Sequence, residues 1–176
     1  MKRLLSSFGL LALLAVIPVS QSHAQQSATI EAADVDLRTK VASGLAEGAA
    51  MHGIEVDTQN FVYASRDDGK LVNTGVSWFD TLTSKDLAAG TTLGMAYLSG
   101  FGMEPGFYRV DVRIPEGASE GEAYFVTADG KVARVARAAA TAGNTAKGKW
   151  TGSISWGSVT VDYHSDKISV EVTVSW

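Results

Sequence analysis

Along the second half of the chain, apolar and polar positions alternate. Between Phe107 and Ile114, Tyr108, Val110, Val112 and Ile114 fall on one side, and Arg109, Asp111 and Arg113 on the other. At the end of the chain Ile168, Val170, Val172, Val174 and Trp176 alternate with Ser169, Glu171, Thr173 and Ser175. A period of two describes a strand with one dry face and one wet face. The same signal, less regular, starts at Ile54: Phe61 and Tyr63 share an extended run, Asp67-Asp68-Gly69-Lys70 reads as a hairpin turn, and Leu71 to Phe79 is its partner. Thr91 to Leu98 predicts another strand, and Gly100 to Gly106 a glycine-rich loop. Glu122 to Ala128 and Lys131 to Ala136 flank Asp129-Gly130, the strongest short hairpin signal in the sequence. Lys149 to Trp156 and Ser158 to His164 precede the final strand, which runs from Lys167 to Trp176. The small-residue stretch Ala138 to Lys147 reads as a loop.

A different period holds before Ile54. Leu37, Val41, Leu45 and Ala49 recur every four residues, a narrow apolar stripe on a helix capped by Asp34 and stopped at Gly53. Gly44 and Gly48 each cost about 1 kcal/mol of helix propensity relative to Ala. They also permit that face to come very close to whatever it packs on. Ser84-Lys85-Asp86-Leu87 predicts no more than one short helical turn.

The first residues follow another logic. Lys2 and Arg3 precede the ten-residue apolar run Phe8 to Ile17, Pro18 ends it, and Ser22-His23-Ala24 places small residues before Gln25. This is the pattern of a cleaved secretory signal peptide, too short to span a bilayer stably as a helix. The predicted organisation is a signal peptide over 1–24, a polar leader with the helix over 25–53, and a β domain over 54–176. Export removes Lys2 and Arg3, so the formal charge moves from −4 to −6. A moderately acidic chain does not attract nucleic acid by bulk charge. The 152 residues left from 176 are enough for one core without a staple, and the absence of Cys excludes thiol nucleophiles, disulfides and cysteine metal sites.

Catalytic patterns are sparse. Gly117-Ala118-Ser119-Glu120-Gly121 matches G-x-S-x-G, yet it lies between two predicted strands, where a nucleophile elbow needs a strand-to-helix turn. His52 and His164 stand apart from any metal-ligand spacing and read as a helix-end residue and a turn residue. Asp67-Asp68-Gly69 and Asp129-Gly130 lack the ligand series of a calcium loop and read as turns. Glu116, Glu120 and Glu122 cluster in one acidic segment. No cofactor is implied.

Two features point toward binding. From Lys131 to Lys149 the chain carries Lys131, Arg134, Arg137, Lys147 and Lys149 with no acid, and Arg109 and Arg113 share the wet face of another strand. Such a patch suits an anionic small molecule, a glycan or an envelope component; a solvated edge guarded by cations uses the same residues. Trp78 and Phe101 add candidate exposed aromatics. Trp150 and Trp156 fall on one strand face about 20 Å apart, and a final aromatic on an alternating strand resembles the C-terminal signal of outer-membrane barrels. The expectation is an antiparallel β-sandwich, or a small barrel, of about eight strands with one N-terminal helix. It is read as an exported, non-enzymatic binding or structural module of the cell envelope, periplasmic or extracellular. An outer-membrane barrel is the alternative, and an envelope enzyme using carboxylates the second alternative.

Overall fold

A computed structural model describes residues 39–58, 62–65, 72–76, 82–100, 102–144, 150–155 and 157–175. The leader expected over 1–24, the Asp34 cap, Leu37, Phe61, the turn at Asp67 to Lys70, Trp156 and Trp176 lie outside them.

The stripe becomes helix α1, residues 39–51, with Val41, Leu45 and Ala49 buried in line. Its end is a Schellman closure. The Gly53 N–H donates to the Ala50 carbonyl and the Ile54 N–H to the Ala49 carbonyl, and Gly53 takes a φ of 67°, which an L side chain resists.

The rest is mainly β: Val62–Ser65 (β1), Val72–Val76 (β2), Thr91–Leu98 (β3), Gly106–Arg113 (β4), Glu120–Val126 (β5), Val132–Ala142 (β6), Trp150–Ser155 (β7), Ser158–His164 (β8) and Ile168–Ser175 (β9), with the short helix Ser84–Ala89 (α2) before β3. All nine strands belong to one antiparallel sheet in the order β1-β2-β3-β4-β5-β6-β9-β8-β7. The expected β-rich, antiparallel character with a leading helix is present. A two-sheet sandwich has no counterpart in this order. Instead the single sheet curls as a half-barrel, so inward residues of β3–β5 and of β7–β9 meet across the curl. The edge strands β1 and β7 approach each other, with no ladder between them among the described residues.

The main core lies on the concave side: Val110, Val112, Phe125, Ala138, Tyr163, Val170, Val172 and Val174 belong to one buried cluster. Helix α2 contributes Leu87 to it, and the Ile114 N–H donates to the Leu87 carbonyl. That helix is longer than the single turn expected because Thr83 and Asp86 form a capping box. On the outer side of β3 and β4, α1 makes a second cluster in which Val41, Leu45 and Ala49 bury Met95, with Tyr97 and Phe107 packed against it. A Cβ at Gly44 would overlap the Phe107 ring, and one at Gly48 would lie 2.7 Å from Met95 Cε. The two glycines thus let the helix settle onto those side chains. Because β3 is covered on both faces, Leu93 to Ala96 are all buried and its alternation disappears; a register shift between Thr92 and Gly94 falls in the same stretch.

One element departs from expectation at 138–142. These residues were expected in a loop, but they complete the eleven-residue β6. Alanine is a poor strand former, yet here β5 and β9 supply ladders on both sides, with Ala138 paired to Gly121 and to Val172 and fully buried.

Candidate functional site

Cross-strand partners point to the same face of a sheet, so the ladders sort every candidate residue. Arg113, Glu122 and Arg137 stand in one row across β4, β5 and β6, on the outer face. The Arg137 guanidinium lies 2.6 Å from Glu120 and 3.9 Å from Glu171, and it holds the Glu120 carboxyl below the usual carboxylate range. Arg109 donates to both carboxylate oxygens of Asp111, with its closest contact at 2.7 Å, and Thr92 donates to Asp111 at 2.6 Å. Lys131 pairs with Asp129 at the β5–β6 turn; together with Thr127 it pulls the Asp129 carboxyl down to about 2. Within the stretch that looks acid-free in linear sequence, Arg137 is therefore matched by carboxylates from both neighbouring strands and Lys131 by one in its own turn. Lys147, Lys149, Trp78 and Phe101 lie outside the described residues.

His52 was expected to suit the helix end as a cation. Its Nδ1 lies 3.4 Å from an Arg109 guanidinium nitrogen, which can only donate. Burial, and then the Arg109 charge, hold its pKa below the ordinary value against a weaker pull from Asp111. The neutral ring fits this position.

His164, read as a turn residue, is the last residue of the strand that the sequence places over Ser158 to His164. It ends β8, buried, with Nδ1 3.1 Å from Ser169 Oγ and Nε2 3.1 Å from Thr151 Oγ1. It ties the ends of β7, β8 and β9 together. Sequence reasoning missed this because the partners come from strands whose pairing the sequence did not reveal. The G-x-S-x-G segment connects β4 to β5, where the Ser119 carbonyl accepts from the Ala140 N–H.

The concave face carries a different kind of site. A narrow apolar cleft of about 30 Å³ lies inside the curl. Its walls include Ala96 of β3, Val110 of β4, Phe125 of β5, Trp150 of β7, Val161 of β8, and Val172 and Val174 of β9. Its size is that of a space for one or two waters. Trp150 packs edge-on to Tyr163, ring centroids 5.2 Å apart, and its buried indole N–H has no acceptor. A donor on an apolar wall is one place where a ligand oxygen or a water gains most.

Arg134 alone among the arginines named from sequence faces this side. It is the ladder partner of Phe125 and shares the parity of Ala136 and Ala138. Its guanidinium donates to the Ser175 carbonyl, at the end of the strand that brings Val174 to the cavity. Among the described residues no cluster of His, Asp or Glu is suited to a metal ion.

No protein-family model, curated protein or solved structure matches the chain.

Proposed function

We propose that this protein is an exported, non-enzymatic binding or structural module of the cell envelope, and that any small ligand enters at the apolar cleft on the concave face of the sheet, where the Trp150 indole offers a donor. The observation that supports this most is the buried Trp150 indole N–H, a donor without an acceptor on an apolar wall drawn from six strands. Export is part of the proposal and rests on the residue 1–24 pattern; the mature chain begins at Gln25.

An outer-membrane barrel is the weaker proposal. It would turn the row Arg113–Glu122–Arg137 toward lipid, where each cation costs about 2–4 kcal/mol at the bilayer midplane. A carboxylate enzyme gains no support from the acidic residues of the outer face, since Glu120 and Asp111 are engaged by arginines.

The test is saturable binding of N-phenylnaphthylamine, an uncharged fluorescent probe, to the purified protein. Ala96→Leu, which adds three carbons to the cleft wall, is expected to weaken binding about tenfold, roughly 1.4 kcal/mol, and to lower the melting temperature, since overpacking costs about 1–3 kcal/mol. Equal binding by the variant and the parent rejects the cavity as the site.

A further inference from the structure

We propose a second binding site, on the outer face of the sheet and independent of the apolar cleft: a hollow that receives a sugar acid, with the carboxylate on Arg113 and ring hydroxyls on Thr92 and Tyr124. The hollow has a structural origin. The β3–β4 ladder starts at Thr91 opposite Val112, and before it the chain turns away through Gly90 from α2. Among the described residues Arg113 therefore has a ladder partner on β5, Glu122, and none on β3. The space left beside it is about 290 Å³, against about 30 Å³ for the apolar cleft. It approaches the lower end of small-molecule pockets, about 300 Å³. Gly90, Thr92, Asp111, Arg113 and Tyr124 are among its walls, and Thr92, Asp111 and Tyr124 form one cross-strand row.

The polar groups of the hollow are unevenly spent. The Asp111 carboxylate accepts from Arg109 at both oxygens and from Thr92, so its charge is matched and its lone pairs are used. Glu122, the ladder neighbour of Arg113, instead accepts from the Tyr124 hydroxyl at 2.5 Å. Among the described residues no hydrogen bond or ion pair engages the exposed Arg113 guanidinium. Its five donors remain for a planar anion, which the rigid fork grips at two points. Thr92 and Tyr124 have each given their hydroxyl proton to a carboxylate, so each keeps an oxygen that can accept. A bare anion has only acceptors and uses Arg113 alone. A neutral sugar uses the two hydroxyl oxygens and leaves the cation unmatched. A carboxylate carried on a hydroxylated ring uses both sets at once.

NMR titrations of the nitrogen-labelled protein with glucuronate, glucose, glucosamine, acetate and inorganic phosphate test this. Glucuronate is expected to give saturating shifts at Gly90, Thr92, Tyr124 and the Arg113 side-chain N–H. It should bind roughly tenfold tighter than glucose or acetate, the scale of one hydrogen bond to a charged group, and cationic glucosamine should not bind. Arg113→Gln should bring glucuronate down to the affinity of glucose, and Arg113→Lys, which lacks the fork, should keep part of the margin. Thr92→Val should narrow the margin over acetate, and Lys167→Gln, on the β8–β9 turn, should change nothing. Acetate or phosphate equalling glucuronate overturns the sugar acid in favour of a bare anion. Glucose equalling glucuronate, or glucuronate affinity surviving in Arg113→Gln, overturns the anchor. Shifts that do not saturate, or that spread equally over Lys131 and Arg137, overturn the site. Should Arg113→Gln not fold, the ranking of the five probes on the parent decides alone, and equal affinities reject the proposal. The two sites fail separately: Ala96→Leu should leave glucuronate binding intact, and Arg113→Gln should leave N-phenylnaphthylamine binding intact. Loss of glucuronate binding in Ala96→Leu would move the sugar acid to the cleft and overturn the outer site.

Discussion

On its concave side the sheet presses Val110, Phe125, Val172 and Val174 into one cluster. On its outer side the same strands display Arg113, Glu122 and Arg137 in a row. The concave face is held by the removal of apolar area from water, about 25 cal/mol per Å², and needs close packing. The outer face is held by ladders beneath it, and its ion pairs add little because water already solvates the partners. Where α1 covers β3 and β4 the outer face turns apolar again, with Met95, Tyr97 and Phe107 in place of charges. Covering, rather than strand identity, sets the chemistry of each face.

The largest test of that contrast compares two neighbours on different faces of β5. Phe125→Ala should cost about 3–5 kcal/mol in urea denaturation, as lost transfer energy plus a cavity. Glu122→Ala, at an exposed position, should stay within about 0.5 kcal/mol. Similar losses for both would erase the distinction between faces.

The α1 contact gives the next effect. Gly44→Leu is expected to destabilise by about 1–3 kcal/mol, since the new side chain meets the Phe107 ring and overpacking costs that much. Combining it with Phe107→Ala should recover part of the loss. A double variant that is strictly additive would place the helix elsewhere than on Phe107.

Thr83→Ala follows, at about 1 kcal/mol, because the α2 N-cap loses its side-chain acceptor and the capping box opens. A thermal melt with no shift would mean that α2 is held by Leu87 packing alone.

The smallest effect is in pH. His52 has a folded pKa below its ordinary 6.5, so its contribution is complete above that value and is lost as pH falls through the folded pKa. Stability should therefore decline slightly on acidification from neutral pH, and His52→Gln should flatten that limb. Further down, Asp129 is depressed to about 2; its contribution is present above the unfolded carboxylate value, near 3.8, and is lost as pH falls toward 2. Proton titration by NMR that finds Asp129 near its ordinary value would dissolve the Asp129–Lys131–Thr127 turn network.

Much of this was legible in the residues. The alternation in Phe107 to Ile114 and Ile168 to Val174 named the buried side of β4 and β9, and the four-residue stripe named the buried line of α1, because periodicity encodes orientation directly. Spacing held one further fact. Arg134 and Arg137 are an odd number of positions apart, so on one strand they must face opposite ways; grouping them in a basic stretch obscured this. Gly44 and Gly48 likewise announced a close contact without naming Phe107 and Met95. The extent of β6 was not legible, since its alanines carry no strand signal and depend on β5 and β9 for their conformation. Nor was the pairing of Arg137 with Glu120 and Glu171, which come from strands on either side.

The sequence by itself determined the helix, most strand boundaries and the inward positions of β4 and β9, since these rest on local propensity and period. The tertiary structure decided that the strands form one curled sheet, that β6 reaches Ala142, and that a small apolar cleft inside the curl has the Trp150 indole in its wall. Those outcomes depend on strand order and curvature. They are set by contacts between residues far apart in the chain, which no local pattern contains.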